Sequence, residues 1–191
     1  MRTGVISTPN YGSVLSLSDM KDHMIVEHAD DDAFIGQTII SVISNCENIG
    51  RISIPTTDRF VEYGTTRKGR LFIPYGKVVS VNSVILVSFD GNDDVVLEAG
   101  VGYSHSVGNQ IIILHESVAI SFSHPTIRIE YTAGFTPDEL AGANSNIILA
   151  IKQFVTHLYE HRGEDKRTAV NMPKETRRVL GEYWTSPTYY T

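Results

Sequence analysis

His157 and His161 lie four residues apart in the run His157-Leu158-Tyr159-Glu160-His161, a spacing with which one helix face can hold zinc. A zinc protease helix carries glutamate at the second position of that run; here it is Leu158, and no third ligand is evident. The pair is read as two solvated imidazoles on a polar helix face. Asp30, Asp31 and Asp32 form a second group of possible ligands. A calcium loop alternates its acids and adds a glycine and a distal glutamate, which this segment lacks. Asp30 or Asp31 is therefore expected to cap a helix, the other acids complementing its dipole. Cys46 sits in a helical apolar pattern, as a buried inert thiol would. Glu164 and Asp165 are adjacent acids in a loop segment, with nothing marking them as a general acid and base. Gly100-Val101-Gly102 is too short for a phosphate loop, and the nucleotide-loop, nucleophile-elbow and CxxC patterns are absent. No catalytic residue, metal site or cofactor is expected.

The elements that would position these residues change period twice. Residues 1–17 have no period and read as an extended arm. Ser18 is expected to cap a short helix over 19–24. A helix over residues 31–48 follows from Ile35, Ile39, Val42, Cys46 and Ile49, a stripe widened by Phe34, Ile40 and Ile43 and stopped by Asn48 and Gly50. From 51 to 135 short runs of Val, Ile, Phe and Tyr are divided by turn residues. Strands are expected at 51–54, 59–63, 70–73, 79–89, 95–98, 110–115, 118–122 and 126–131, with Asp90-Gly91-Asn92 a hairpin turn. Ile127, Ile129 and Tyr131 alternate with Arg128 and Glu130, the pattern of a half-buried antiparallel strand. Thr136-Pro137-Asp138-Glu139 spells a capping box. Behind it, past the weakly helical Gly142-Ala143-Asn144, Ile147, Ile151, Phe154 and Leu158 mark the seam of a helix ending near Arg162. A short helix over 173–184 closes the fold. Ile39, Val42, Phe154 and Leu158 are expected to be largely buried.

The fold class that follows is α+β: a helical bundle core with long helices at about 31–48 and 138–162, an antiparallel β-rich insertion at about 51–135, and a short C-terminal helix. The domains are an arm (1–17), a helical domain (18–50 with 136–184), a β-rich module (51–135) and a flexible tail (185–191). With 191 residues, 41% hydrophobic and 20% charged, the composition is that of a globular chain. One cysteine excludes an internal disulfide. No apolar run approaches bilayer length and residues 1–10 lack a signal-peptide core, so a soluble protein made in a reducing cytoplasm is expected. The net charge of −6 argues against a basic nucleic-acid grip. The charge is also uneven. Residues 18–62 hold nine acids against three bases, whereas 162–178 hold six bases against three acids. Unlike ends suit head-to-tail association, so Asp30, Asp31 and Asp32 are expected to meet Arg177 and Arg178 of a neighbouring subunit. The tail beyond the last helix is uncharged and aromatic, with Trp184, Tyr189 and Tyr190 as candidate partner-binding anchors.

Leu15-Ser16-Leu17-Ser18-Asp19-Met20-Lys21-Asp22-His23-Met24 followed by Asp30-Asp31-Asp32-Ala33-Phe34-Ile35 resembles the opening of the head–tail connector (adaptor, head completion) proteins of tailed bacteriophages. Ile129-Glu130-Tyr131-Thr132-Ala133-Gly134-Phe135 is similar to the strand exit of that family, and His157-Leu158-Tyr159-Glu160-His161-Arg162 to the end of its following helix. Pro173, Leu180 and Tyr183 match its closing pattern. The β character of 51–64 and the long arm depart from the family. The resemblance implies a non-enzymatic virion protein of the neck, assembled in the host cytoplasm. It would be an adaptor ring subunit, often dodecameric, joining the portal protein to a neck, stopper or tail protein. Genomic DNA would traverse the lumen without sequence-specific binding, and no membrane is involved. The tail residues Trp184, Tyr189 and Tyr190 would then clasp the portal. The alternatives are a stopper-like neck or tail-completion protein, a DNA-binding packaging factor, and an enzyme of unrecognised type.

Overall fold

The computed structural model describes residues 1–64, 69–90, 92–106, 110–116, 118, 124–162 and 172–183. The chain is mixed α+β with antiparallel sheets, and its described residues fall into two compact units.

The helical unit takes residues 9–55 and 135–183. Its helices are α1 (Leu17–Met24), α2 (Asp32–Gly50), α3 (Pro137–Ala141), α4 (Ser145–Glu160) and α5 (Lys174–Tyr183), with a 3-10 turn at Tyr11–Ser13. Ser16, not Ser18, caps α1: its Oγ accepts from the Asp19 amide at 3.0 Å and donates to the Asp19 carboxylate at 2.6 Å. Ser16-x-x-Asp19 has the capping-box spacing, and Ser18 falls inside the first turn. α2 starts where expected but without an Asp31 side-chain cap. It stops at Arg51, whose φ of 50° breaks the helix, while Gly50 is a buried helical residue packed near Leu180. The stripe Ile35, Ile39, Val42, Ile43 and Cys46 is buried, but Ile49, Phe34 and Ile40 are exposed. The single helix expected over 138–162 is two. Gly142 ends α3 after one capped turn, and α4 begins afresh at Ser145. The capping box itself is complete: the Glu139 amide donates to Thr136 Oγ1 at 3.3 Å and the Thr136 amide to Glu139 Oε2 at 3.0 Å. Along α4, Ile147, Ile151, Phe154 and Val155 are buried, whereas Leu158 is only half-buried. All of these, with Met20, Leu140 and Leu180, form one apolar cluster.

Residues 51–54 are not a strand. Ile52, Ser53 and Ile54 are all buried, and the two isoleucines enter the helical cluster. Their segment belongs to no named strand: the Phe135 amide donates to the Ile54 carbonyl, the Ile52 amide to the Glu47 carbonyl, and Pro55 forms an isolated bridge with Phe135.

The β unit takes residues 1–8 and 56–134. Its larger sheet has the order β1 (Arg2–Val5), β2 (Thr57–Gly64), β8 (Thr126–Ala133), β4 (Val78–Val87), β5 (Val95–Val96). Its smaller sheet is β3 (Arg70–Phe72), β7 (Ile111–Leu114), β6 (Tyr103–Ser106). All named pairs are antiparallel. β8 sits centrally, with Ile129 opposite both Val61 and Val84, and the expected alternation holds: Ile127, Ile129 and Tyr131 are buried, Arg128 and Glu130 half-buried. Side chains from both sheets, among them Leu71 and Ile112, share one core. The strand read over 79–89 is displaced by a residue or two and carries register shifts between Val78 and Ser80 and between Val81 and Ser83. The Ser88–Asp94 connection closes the expected hairpin. Asp94 accepts from the Ser88 amide at 2.8 Å, and Asp90 accepts from the Ser88 hydroxyl and the Asn92 amide. Two strands went unread. Tyr103–Ser106 buries only its first residue, and Arg2–Val5, within the extended arm, pairs with β2 as an edge strand. A Cβ at Gly4 would meet the Phe60 ring, so a larger residue there would displace that ring. Of the strand expected at 118–122, residues 119–122 lie outside the described residues, and Val118 is in no strand.

Candidate functional site

The acidic trio flanks the start of α2, and its members have different fates. Asp31 accepts from the Tyr159 hydroxyl at 2.5 Å and from Arg162 Nη1 at 2.9 Å, while the Arg162 guanidinium lies 4.6 Å from the Tyr159 ring centroid. This three-residue clasp ties the N-terminus of α2 to the C-terminus of α4. Asp32 accepts from Lys21 Nζ at 2.6 Å, and Lys21 also donates to the His28 carbonyl, fixing the α1–α2 connection. The Asp30 side chain is 93% exposed, with His28 Nδ1 at 3.9 Å.

The hydrogen bond from Tyr159 and then that from Arg162 hold the Asp31 carboxyl below the usual carboxylate range. The same contacts raise the Tyr159 phenol and the Arg162 guanidinium. A depressed carboxyl stabilises the fold above its unfolded pKa, roughly 4, and that contribution is lost as pH falls through the folded value. The Asp31→Asn variant is therefore expected to have a shallower acid limb than wild type in denaturation midpoints followed below about pH 4. Superimposable acid limbs would refute the role given to the clasp.

Arg178 lies on exposed α5 between Glu175 at 3.0 Å and Glu182 at 3.5 Å. Arg177 beside it is exposed. Trp184, Tyr189 and Tyr190 lie outside the described residues.

His157 and His161 stack with ring centroids 4.4 Å apart, and His161 Nδ1 lies 2.8 Å from the His157 carbonyl. Neither is joined by a third ligand: among the described residues no group of three or more His, Cys, Asp or Glu could hold a metal ion. Burial pushes the Cys46 thiol up to about 12, which keeps it from forming thiolate. Ser104 Oγ lies 2.7 Å from His115 Nε2, and His115 Nδ1 lies 2.8 Å from the Val101 carbonyl. If Nδ1 donates to that carbonyl, Nε2 accepts from Ser104, and the pair pins the β6–β7 end of the smaller sheet. The pair lies exposed at the surface. Sequence reading also missed Glu47, which is 4% exposed, accepting from the Tyr11 hydroxyl at 3.1 Å and the Ile54 amide at 2.8 Å. No helix among the described residues is long and apolar enough to cross a membrane.

No protein-family model matches the sequence, and no curated protein does. Solved structures do match. One is a chain of the neck of an empty gene transfer agent (GTA) particle computed with C6 symmetry, with TM-score 0.76 and 17% identity, covering 97% of this chain and 96% of that one. A second belongs to the neck of a native GTA particle computed with C12 symmetry, with TM-score 0.74 and 16% identity over the same shares of the two chains. A third comes from the virion of a native GTA particle, with TM-score 0.72 and 16% identity. This chain has their fold. The match runs through both units, so the β unit is part of the shared architecture rather than an addition to it.

Proposed function

We propose that the chain is a structural subunit of a phage-type virion neck, an adaptor that forms a ring between the portal and the next neck or tail component and extends the DNA channel. The observation that carries this reading is the near-complete fold match to neck chains from particles computed with C6 and C12 symmetry. The arrangement of side chains agrees with a structural role. Among the described residues, Asp31, Asp32 and His161 are engaged in holding helix ends and loops, while Glu164 and Asp165 lie outside them. The net charge of −6 suits a wall past which DNA slides without adhering. Asp30 and Arg177 are both exposed and remain the members of the charge set suited to an inter-subunit contact. Asp31, Asp32 and Arg178 would act there through the surfaces they brace. Imaging the purified protein with its portal by electron microscopy tests the reading. The expected result is a ring of this chain stacked on the portal, and a portal that stays bare at micromolar protein would count against it.

A portal clasp formed by Trp184, Tyr189 and Tyr190 belongs to the same proposal. These aromatics lie in an uncharged run, and Trp and Tyr are frequent anchors of interfaces. Deleting residues 186–191 is expected to leave the fold intact and to cut co-sedimentation with portal rings at least about tenfold, the loss of one anchor. Undiminished co-sedimentation of the folded truncation would move the clasp elsewhere.

A further inference from the structure

Helix α2 is 19 residues long, yet from Ala33 to Gly50 it exposes no charged side chain. Its one charge in that span, Glu47, points inward and is 4% exposed. What faces outward is Ala33, Gln37, Ser41 and Asn48, flanked by Phe34 at 40%, Ile40 at 53% and Ile49 at 42% exposure. A helix face bordering water is ordinarily charged, and α5 obeys that rule, exposing five charged side chains in ten residues. α4 also exposes a single charged side chain, Glu160 at its end, so α2 is the longer of two charge-poor helices in the unit. Depletion of charge around apolar and small polar groups is the composition of an interface centre.

We propose that the outward face of α2 seats a second copy of this chain and forms the dry centre of the subunit contact. The inference rests on the ring reading above and assigns that ring its interface. DNA is a poor occupant, since the face offers no cation to a phosphate. A lipid surface is equally poor, since Gln37 and Ser41 sit where an interfacial helix places its largest apolar residues. Size points to a repeated contact. A helix of this length presents a face of about 28 by 10 Å, roughly 300 Å², against the roughly 800 Å² per partner of a stable pair. So small a contact holds two copies weakly, but in a closed ring every subunit is held on two sides and closure adds the contacts together. Self-association through α2 is therefore expected to be weak and steeply dependent on concentration.

The test uses the full chain as Ser41→Cys carrying a maleimide–diazirine photoprobe, with Glu98→Cys, exposed in the β unit, as the control; Cys46 is buried and stays unlabelled. Both are photolysed at protein concentrations up to about 1 mM, the range of weak association. In parallel, sedimentation compares the wild type with a Gln37→Glu, Ser41→Glu double variant whose retained fold is checked by circular dichroism. The expected results are cross-linked copies from the Ser41 position several-fold above the control, and a shift of about tenfold in the concentration needed for oligomers, since unpaired carboxylates are then buried in every contact. If oligomers form without cross-links from the Ser41 position above those from Glu98, and the double variant assembles like wild type, the α2 assignment is overturned while the ring survives. If no copies cross-link at any concentration, the α2 assignment is also overturned, and the ring is then decided by imaging on the portal alone.

Discussion

Phe154→Ala is expected to destabilise the helical unit by about 3–5 kcal/mol in chemical denaturation. Phe154 is 1% exposed and stands in the middle of α4, in the cluster with Ile35, Ile39, Ile151 and Leu180. Truncating a buried aromatic ring loses its transfer free energy and leaves a cavity that helices on several sides cannot close. Domain stability is about 5–15 kcal/mol in total, so this one change would remove a large share of it. Leu158, one turn further along the same seam, is the internal control. It is half-buried, so Leu158→Ala removes fewer contacts, and a loss of less than about 2 kcal/mol is expected. Helical circular dichroism followed through the transition gives both values. A Phe154→Ala loss below about 1 kcal/mol, or a Leu158→Ala loss equal to it, would contradict the packing described for α4.

The gap between Phe154 and Leu158 shows what periodicity carries. Spacing placed Ile147, Ile151, Phe154 and Leu158 on one face, and they are on one face. How deep each sits depends on where neighbouring helices end, and that is not written in α4. The same holds in α2, where Ile35 to Cys46 is buried but Ile49 is exposed one turn later. β8 was fully legible because its alternation is strict and it pairs on both sides. β1 was not, because Arg2-Thr3-Gly4-Val5 has no alternation and owes its strand conformation to the hydrogen bonds of β2. Local chemistry was legible in the Thr136–Glu139 box, whose partners lie three residues apart, although at α1 the same spacing belongs to Ser16 and not to Ser18, and it failed where partners are distant in sequence. Asp31 reads as a cap until Tyr159 and Arg162, 128 and 131 residues away, take its carboxylate.

Glu47 carries that lesson to its largest consequence. On sequence it is an ordinary charge near the end of a helix; in the fold its carboxylate is buried at the junction of three segments. Oε1 accepts from the Ile54 amide at 2.8 Å and Oε2 from the Tyr11 hydroxyl at 3.1 Å. It thereby fixes the 3-10 turn at Tyr11–Ser13 and the irregular segment after Arg51 to α2. Ile54 is 0% exposed, so its amide has no access to water if the acceptor is removed. Hydrogen bonds to a charged acceptor contribute about 1.5–3 kcal/mol, and a buried donor left unpaired costs about 1–3 kcal/mol. Glu47→Ala is therefore expected to lose about 2–4 kcal/mol of stability. Glu47→Gln keeps a carbonyl oxygen for the Ile54 amide and turns an NH₂ toward Tyr11, whose hydroxyl can rotate to accept it. Its loss is expected to be about 1 kcal/mol. Tyr11→Phe removes only the half-buried partner and is expected to cost less than Glu47→Ala. Urea denaturation of the three variants orders these effects, and amide exchange at Ile54 reads the local one directly, with faster exchange in Glu47→Ala than in Glu47→Gln. Equal stability of the alanine and glutamine variants would mean that the Ile54 amide does not depend on this carboxylate.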